Sequence, residues 1–230
     1  MKLSNISFFC PALNEEDNLP LLIESVRGAL SEFADVFEII IIDDGSTDRS
    51  AAIADGLAAE DLRIRVIHHS MNLGYGISLR EGFKTARYEW IMYTDSDYQY
   101  NIREVIPYLT LLQDYDIISG YVTRKAMSTR RRMQSKIYNG LVRLLFGIKL
   151  NDINCAMKIY SRKVIDIIDI RSKGFFVDAE MLIRARRKGF RIAQFPVTHL
   201  PRSSGAATGA RAGLVLETMR EMALFRLGLL

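Results

Sequence analysis

Short β-rich runs alternate with longer helical patterns through the first half of this sequence, and that rhythm restricts the possible folds more than any other feature. Residues 6–10, 38–42, 64–68, 90–94 and 117–119 are bounded by Asn, Asp, Ser or Gly and read as strands. Between them, residues 19–33, 48–60, 75–87 and 103–113 carry apolar side chains at helical spacing. Strands joined through helices need right-handed crossovers and build a largely parallel sheet covered on both faces, which makes the class α/β. Ligands bind such sheets at the carboxyl ends of the strands, so the loops that follow strands are the ones to inspect.

Beyond Gly120 the rhythm changes. A basic segment, residues 124–136, leads into a helix through Phe146, followed by a strand at 157–160, a helix at 177–188 and a strand at 191–197. A loop of small residues, 203–213, precedes a last helical segment, 214–230. In that segment Val215, Leu216, Met219, Met222, Ala223, Leu227 and Leu230 share one broad face, with Glu217, Arg220 and Glu221 opposite. Such a helix docks on the core or on a second subunit, or lies on a membrane surface. No repeat or low-complexity linker divides the chain, so one elaborated domain over 1–230 is expected.

A chain of 230 residues can bury about 70% of the surface that its unfolded form exposes, and needs no disulfide or structural metal for a core. Cys10 and Cys155 are too few for a disulfide framework, fit a reducing cytoplasm, and read as buried thiols. The apolar run 37–42, broken by Glu38, falls far short of the roughly 18 to 20 residues that span a bilayer. The N-terminus leads into a strand pattern and has no signal-peptide character.

Three post-strand loops carry chemistry. Pro11-Ala12-Leu13-Asn14-Glu15-Glu16 begins with a proline expected to stop the strand. It reads either as a turn with a helix cap or as a ligand contact through Asn14 or Glu15. Asp43-Asp44-Gly45-Ser46-Thr47-Asp48 places two adjacent carboxylates at the end of an apolar run. A helix cap by Ser46 or Thr47 does not require them, so a base or ribose contact is the better reading. Thr94-Asp95-Ser96-Asp97-Tyr98-Gln99 sets two carboxylates two residues apart beyond a buried strand, where hard divalent cations such as Mg2+ or Mn2+ find oxygen ligands.

These motifs, with Asn72-Leu73-Gly74, occur in the order and spacing of the family 2 inverting glycosyltransferases, and the sequence resembles most the polyprenyl-phosphate sugar synthases, the dolichyl-phosphate mannose synthase group. The resemblance continues through Asp152-Ile153-Asn154-Cys155-Ala156-Met157-Lys158, Asp178-Ala179-Glu180 and His199-Leu200-Pro201-Arg202. It departs at Tyr121, at Ala156-Met157 and at Ala207-Thr208, all in the second half.

The resemblance implies a GT-A (Rossmann-like) fold: a mixed, mainly parallel sheet flanked by helices, with a C-terminal amphipathic helix. Residues 1–120 would form the nucleotide-sugar and metal half, and 121–230 the acceptor half. Pro11, Asn14, Glu15, Asp43, Asp44 and Ser96 would surround the donor, and Asp95, Asp97 and Gln99 would hold Mg2+ or Mn2+ against its diphosphate. Arg131 and Arg202 would clamp phosphate, while Arg124, Arg131, Arg132 and Ser135 would receive the acceptor, with Asp152 in the acceptor half. The implied reaction moves a hexose from a GDP- or UDP-sugar to a polyprenyl phosphate at the cytoplasmic membrane face, by a peripheral protein.

The basic segment, with Arg124, Lys125, Arg130, Arg131, Arg132 and Lys136, is open to three readings: a solvated helix face, a nucleic-acid patch, or a site for lipid phosphate and anionic headgroups. No nucleic-acid motif accompanies it, so no nucleic-acid partner is expected; a homo-oligomer or a membrane-anchored partner stays open. A phosphate acceptor is already ionised and needs no strong base. A hydroxyl acceptor would need one, and Asp178 and Glu180 are the candidates, unless they cap or pair near the start of their helix, Glu180 with Arg184. His199 is expected to order the loop before Arg202. A nucleotide-sugar binding protein without turnover is the reading from another class.

Overall fold

The computed structural model describes residues 1–125, 129–201 and 212–230, with side chains described outside 124–132 and 202–212. Seven strands form one sheet: β1 (Leu3–Ala12), β2 (Ala34–Asp43), β3 (Ile64–His68), β4 (Trp90–Tyr93), β5 (Ile117–Lys125), β6 (Lys158–Ser161) and β7 (Ile192–His199). Their spatial order is β3-β2-β1-β4-β6-β5-β7. Six strands run the same way, and β6 alone is antiparallel to its neighbours β4 and β5. The expected mixed, mainly parallel sheet is present.

β2 shows why the sheet forms where it does. Phe37 and Ile39–Ile42 are all buried, as a strand covered on both faces requires, and each large aliphatic side chain removed from water contributes about 1.5–3 kcal/mol. Glu38 is buried within that run, yet it accepts hydrogen bonds from Ser7 Oγ, Arg87 N and the Arg65 guanidinium, so its charge is compensated. In α1 (Leu19–Phe33), Leu22, Ile23, Val26, Ala29, Leu30 and Phe33 recur at three- and four-residue steps and face the sheet. Further helices are α2 (Ser50–Glu60), α3 (Tyr75–Thr85), α4 (Thr129–Phe146), α5 (Arg162–Ile167), α6 (Val177–Arg187) and α7 (Ala212–Arg226).

Three expectations need correction. Pro11 does not stop β1: it pairs with Ile42 of β2, and β1 runs on to Ala12. A proline is tolerated there because pairing of β1 with β4 has ended at Phe9, which leaves one edge of the strand without a partner. The segment Ile102–Gln113 is a 3₁₀ helix with Pro107 inside it, a residue whose ring would clash with the carbonyl four residues back in an α-helix. Finally, α7 docks through Thr218, Glu221, Met222 and Phe225, which are buried, while Val215, Leu216, Met219 and Leu227 of its expected apolar face stay exposed. Glu221, expected on the polar side, is inside.

Candidate active site

The topology brings five segments to one edge of the sheet. The carboxyl ends of β1, β2 and β4 lie side by side, so the loops after them meet. Because β6 runs in reverse, its amino end sits at the same edge, with Lys158 opposite Tyr93 of β4. That reversal delivers the 152–157 segment to the acidic loop, and β7 brings His199 and Leu200 from the other side.

The first two loops are joined into a single surface. Asn14, with φ +56°, accepts from Thr47 N and Asp48 N through Oδ1, and its own N–H donates to Ser46 Oγ. Glu15 N donates to Ser50 Oγ. Asp43 accepts from Ser46 N and from His68 Nδ1 at 2.8 Å, and the other nitrogen of His68 faces Asp55. Burial alone would raise the Asp43 carboxyl, but the bonds from Ser46 and His68 outweigh it and hold it below its usual range. Asp44 accepts from His69 Nδ1, Leu73 N and Gly74 N, which ties β2 to the 69–74 loop. Gly45 is required in this turn, since its φ is +72° and a Cβ would lie 2.4 Å from the Met71 carbonyl carbon. Both aspartates, expected to contact a base or ribose, also hold these loops together.

Asp95, Asp97 and Gln99 line one cavity of about 350 Å³, together with Ser135, Asp152, Asn154, Asp178 and His199. Tyr98 adopts φ +54°, strained for a bulky residue, in the turn where Gln99 N bonds back to Asp97 Oδ1. Gln99 Nε2 donates to the Leu200 carbonyl, which fixes the amide and leaves its oxygen for a ligand. Burial, then the neighbouring Asp97 and Asp178 carboxylates, push the Asp95 carboxyl up to about 7. Four carboxylates face this cavity, and no lysine or arginine lines it among the described residues.

Asp178 and Glu180, paired in the sequence, part company in space. Asp178 reaches the cavity, and its Oδ1 is held from beneath by the fully buried Lys158 ammonium and the Tyr93 hydroxyl. Glu180 does not line the cavity. Its carboxylate accepts from Arg171 N, Ser172 N and Arg184 Nε, so the pairing with Arg184 is real and the candidate-base reading of Glu180 is corrected. Cys10 and Cys155 are buried, and burial pushes both thiols up to about 12, which keeps them uncharged.

Ile137 and Leu141 of α4 and Val215 and Met219 of α7 form an apolar wall of the same cavity. A recess of about 450 Å³ beside it shares Ser135 and Asp152 and is flanked by Lys136 and Arg143. The side chains of Arg124, Arg131 and Arg132, and Arg202 with most of the 203–213 loop, lie outside the described residues.

The family model described as "Glycosyl transferase family 2" matches residues 7–168, more than half of the chain. The chain belongs to glycosyl transferase family 2. Among curated relatives of this family 2 chain, "Glycosyltransferase AglD" of Haloferax volcanii is 37% identical over 86% of the chain and 33% of the relative. "Polyprenol monophosphomannose synthase" of Mycolicibacterium smegmatis is 31% identical over 86% of the chain and 78% of the relative. An undecaprenyl-phosphate 4-deoxy-4-formamido-L-arabinose transferase of Aeromonas hydrophila is 30% identical over 87% and 61%. The chain thus spans a third of the first relative's length and 61% of the third's. Glucosyl-3-phosphoglycerate synthase of Mycobacterium tuberculosis, crystallised with Mn2+, UDP and phosphoglyceric acid, shares the fold at TM-score 0.75 and 22% identity, over 99% of this chain and 80% of that one.

The family 2 site suits a hard divalent cation. Asp95 and Asp97 offer carboxylate oxygens and Gln99 a neutral one, and their crowded negative charge calls for a counter-ion. No cluster of three His, Cys, Asp or Glu ligands occurs among the described residues. Two carboxylates are nevertheless the usual protein share where substrate phosphates and water complete the shell. Lys158, Tyr93, Tyr75 and Phe175 escaped the sequence reading as site residues. Lys158 alone carried a usable signal, a lysine amid the apolar run of a buried strand.

Proposed function

We propose that this chain transfers a hexose, with inversion, from a GDP- or UDP-sugar to a polyprenyl phosphate at the cytoplasmic membrane face. The observation that carries the reading is the two-sided cavity: an acidic floor of Asp95, Asp97 and Asp178 below an apolar wall of Ile137, Leu141, Val215 and Met219 that opens to solvent at Val215 and Met219. A sugar diphosphate suits the floor once a divalent cation stands between it and the carboxylates, and a lipid tail suits the wall. One relative is named a polyprenol monophosphomannose synthase and another an undecaprenyl-phosphate 4-deoxy-4-formamido-L-arabinose transferase, which supports the same acceptor class.

Asp95, Asp97 and Gln99 would hold Mg2+ or Mn2+. When bound, the ion neutralises charge on the departing nucleoside diphosphate as the C1–O bond breaks through an oxocarbenium-like transition state. The surface joined by Asn14, Asp43 and Asp44 receives the nucleoside. Ser135, Lys136 and Arg143 flank the recess where a phosphate acceptor would enter, with Arg131, Arg132 and Arg202 as proposed clamps. The incoming phosphate is ionised near neutral pH, so the reaction needs no base.

Incubation with labelled GDP- and UDP-sugars, a short polyprenyl phosphate and Mn2+ is expected to yield labelled lipid. Failure with every common donor overturns the lipid-phosphate reading. Asp97→Ala is expected to lower turnover at least about 100-fold, in line with the loss of a principal electrostatic group; full activity in that variant removes the metal role. A second reading, a hydroxyl acceptor, draws on Asp178 in the cavity. It requires that hydroxyl acceptors outperform phosphates and that Asp178→Asn abolishes transfer.

A further inference from the structure

We infer that Tyr75 is a positioning residue that sets the orientation of the Asp95 carboxylate, and that Phe175 holds Tyr75 in place; the inference rests on Asp95 being a metal ligand. The Tyr75 hydroxyl donates to Asp95 Oδ1 at 2.9 Å, and Oδ2 has no hydrogen bond among the described residues. One oxygen is thereby pinned and the other is left for a cation. Asp95 and Asp97 repel each other, so without a fixed donor the Asp95 side chain has reason to rotate away.

Tyr75 can do this because its own freedom is removed. Its ring stacks on Phe175, with centroids 5.1 Å apart and planes 20° from parallel. It is the first residue of α3, and the next, Gly76, donates its N–H to the Lys173 carbonyl at 2.8 Å. A Cβ at Gly76 would stand 2.5 Å from the Ser172 carbonyl oxygen, so this backbone approach tolerates no side chain. The 171–174 segment that receives α3 is anchored by two buried carboxylates. Glu180 takes the N–H groups of Arg171 and Ser172, and Glu221 of α7 takes those of Lys173 and Gly174. Two helices therefore brace the loop, the loop carries Phe175, and Phe175 braces the phenol beside the metal site.

Outer partners that orient metal ligands commonly change metal affinity 10- to 100-fold when lost. The test is Mn2+ uptake by the intact protein with UDP, and again with GDP, read by electron paramagnetic resonance of free Mn2+, with thermal melts alongside. Tyr75→Phe keeps the ring and removes only the donor, and is expected to raise half-saturating Mn2+ about 10-fold at an unchanged melting temperature. Phe175→Leu is expected to weaken Mn2+ in the same direction, and Phe175→Tyr, which keeps the stack, to restore it. Wild-type affinity in Tyr75→Phe overturns the inference. A Phe175→Leu protein that melts early yet takes up Mn2+ normally overturns the part assigned to Phe175. No Mn2+ uptake by the wild type with either nucleotide overturns the metal reading itself, and this inference with it.

Discussion

Lys158 is the residue on which the floor of the cavity depends. Its ammonium is fully buried against Asp178, Tyr93 and the Cys155 carbonyl, so removing it alone strands a carboxylate in a low-dielectric site. Lys158→Met is expected to cost about 3–5 kcal/mol in urea unfolding, and Lys158→Met with Asp178→Asn less than the single change, because no unpaired charge then remains. His68 offers a pH test. Its bonds to Asp43 and then Asp55 raise its pKa above the ordinary 6.5. A raised histidine stabilises the fold fully below its unfolded pKa and loses that contribution as pH rises through the folded value. Asp43, held low, contributes above its ordinary 3.8 and loses that contribution only as pH falls through its lower folded value. Melting temperatures of the wild type and His68→Asn should thus differ most below the ordinary 6.5 and converge as pH rises through the raised folded value. A constant gap would assign His68 a packing role only.

Among the elements, α7 is the one whose role changed most between sequence and structure. Its apolar spacing suggested a single sticky face, but docking is shared between Met222 and Phe225 and a buried acid, Glu221, which serves loop amides rather than solvent. Helical periodicity reports which residues share a face. It does not report which face a neighbour covers when that neighbour is polar backbone. Glu221→Ala is expected to destabilise the protein by about 1–3 kcal/mol, the cost of unpaired buried N–H groups. Hydrogen exchange at the amides of Lys173 and Gly174 should quicken with it. Unchanged protection at those two amides would mean that the loop stands without the helix.

For the whole molecule, no described helix is long and apolar enough to cross a membrane, yet three of the apolar residues that line the cavity, Ile137, Val215 and Met219, are exposed. Ile137 and Met133 on α4 and Val215, Leu216 and Met219 on α7 are exposed, and both helices wall the cavity. The proposed acceptor would reach the site from that side. Wild-type protein is expected to sediment with anionic vesicles, and Ile137→Asp with Leu216→Asp to remain in the supernatant; equal sedimentation of the two proteins would remove these side chains from membrane contact.

The sequence by itself determined the alternating α/β order, the acidic loops at strand ends and the family, because these are local patterns: periodicity, turn residues and motif spacing lie within a few positions of one another. Even the two ends of α6 were legible, and the pairing of Glu180 with Arg184 needed only a four-residue step. Tertiary structure alone decided which of Asp178 and Glu180 faces the cavity. It also decided that Lys158 lies beneath Asp178, and that Tyr75 and Phe175, a hundred residues apart, stand together beside Asp95. Those facts depend on the reversal of β6 and on two buried glutamates gripping one loop, where burial and long-range hydrogen bonding, not spacing, choose the partner.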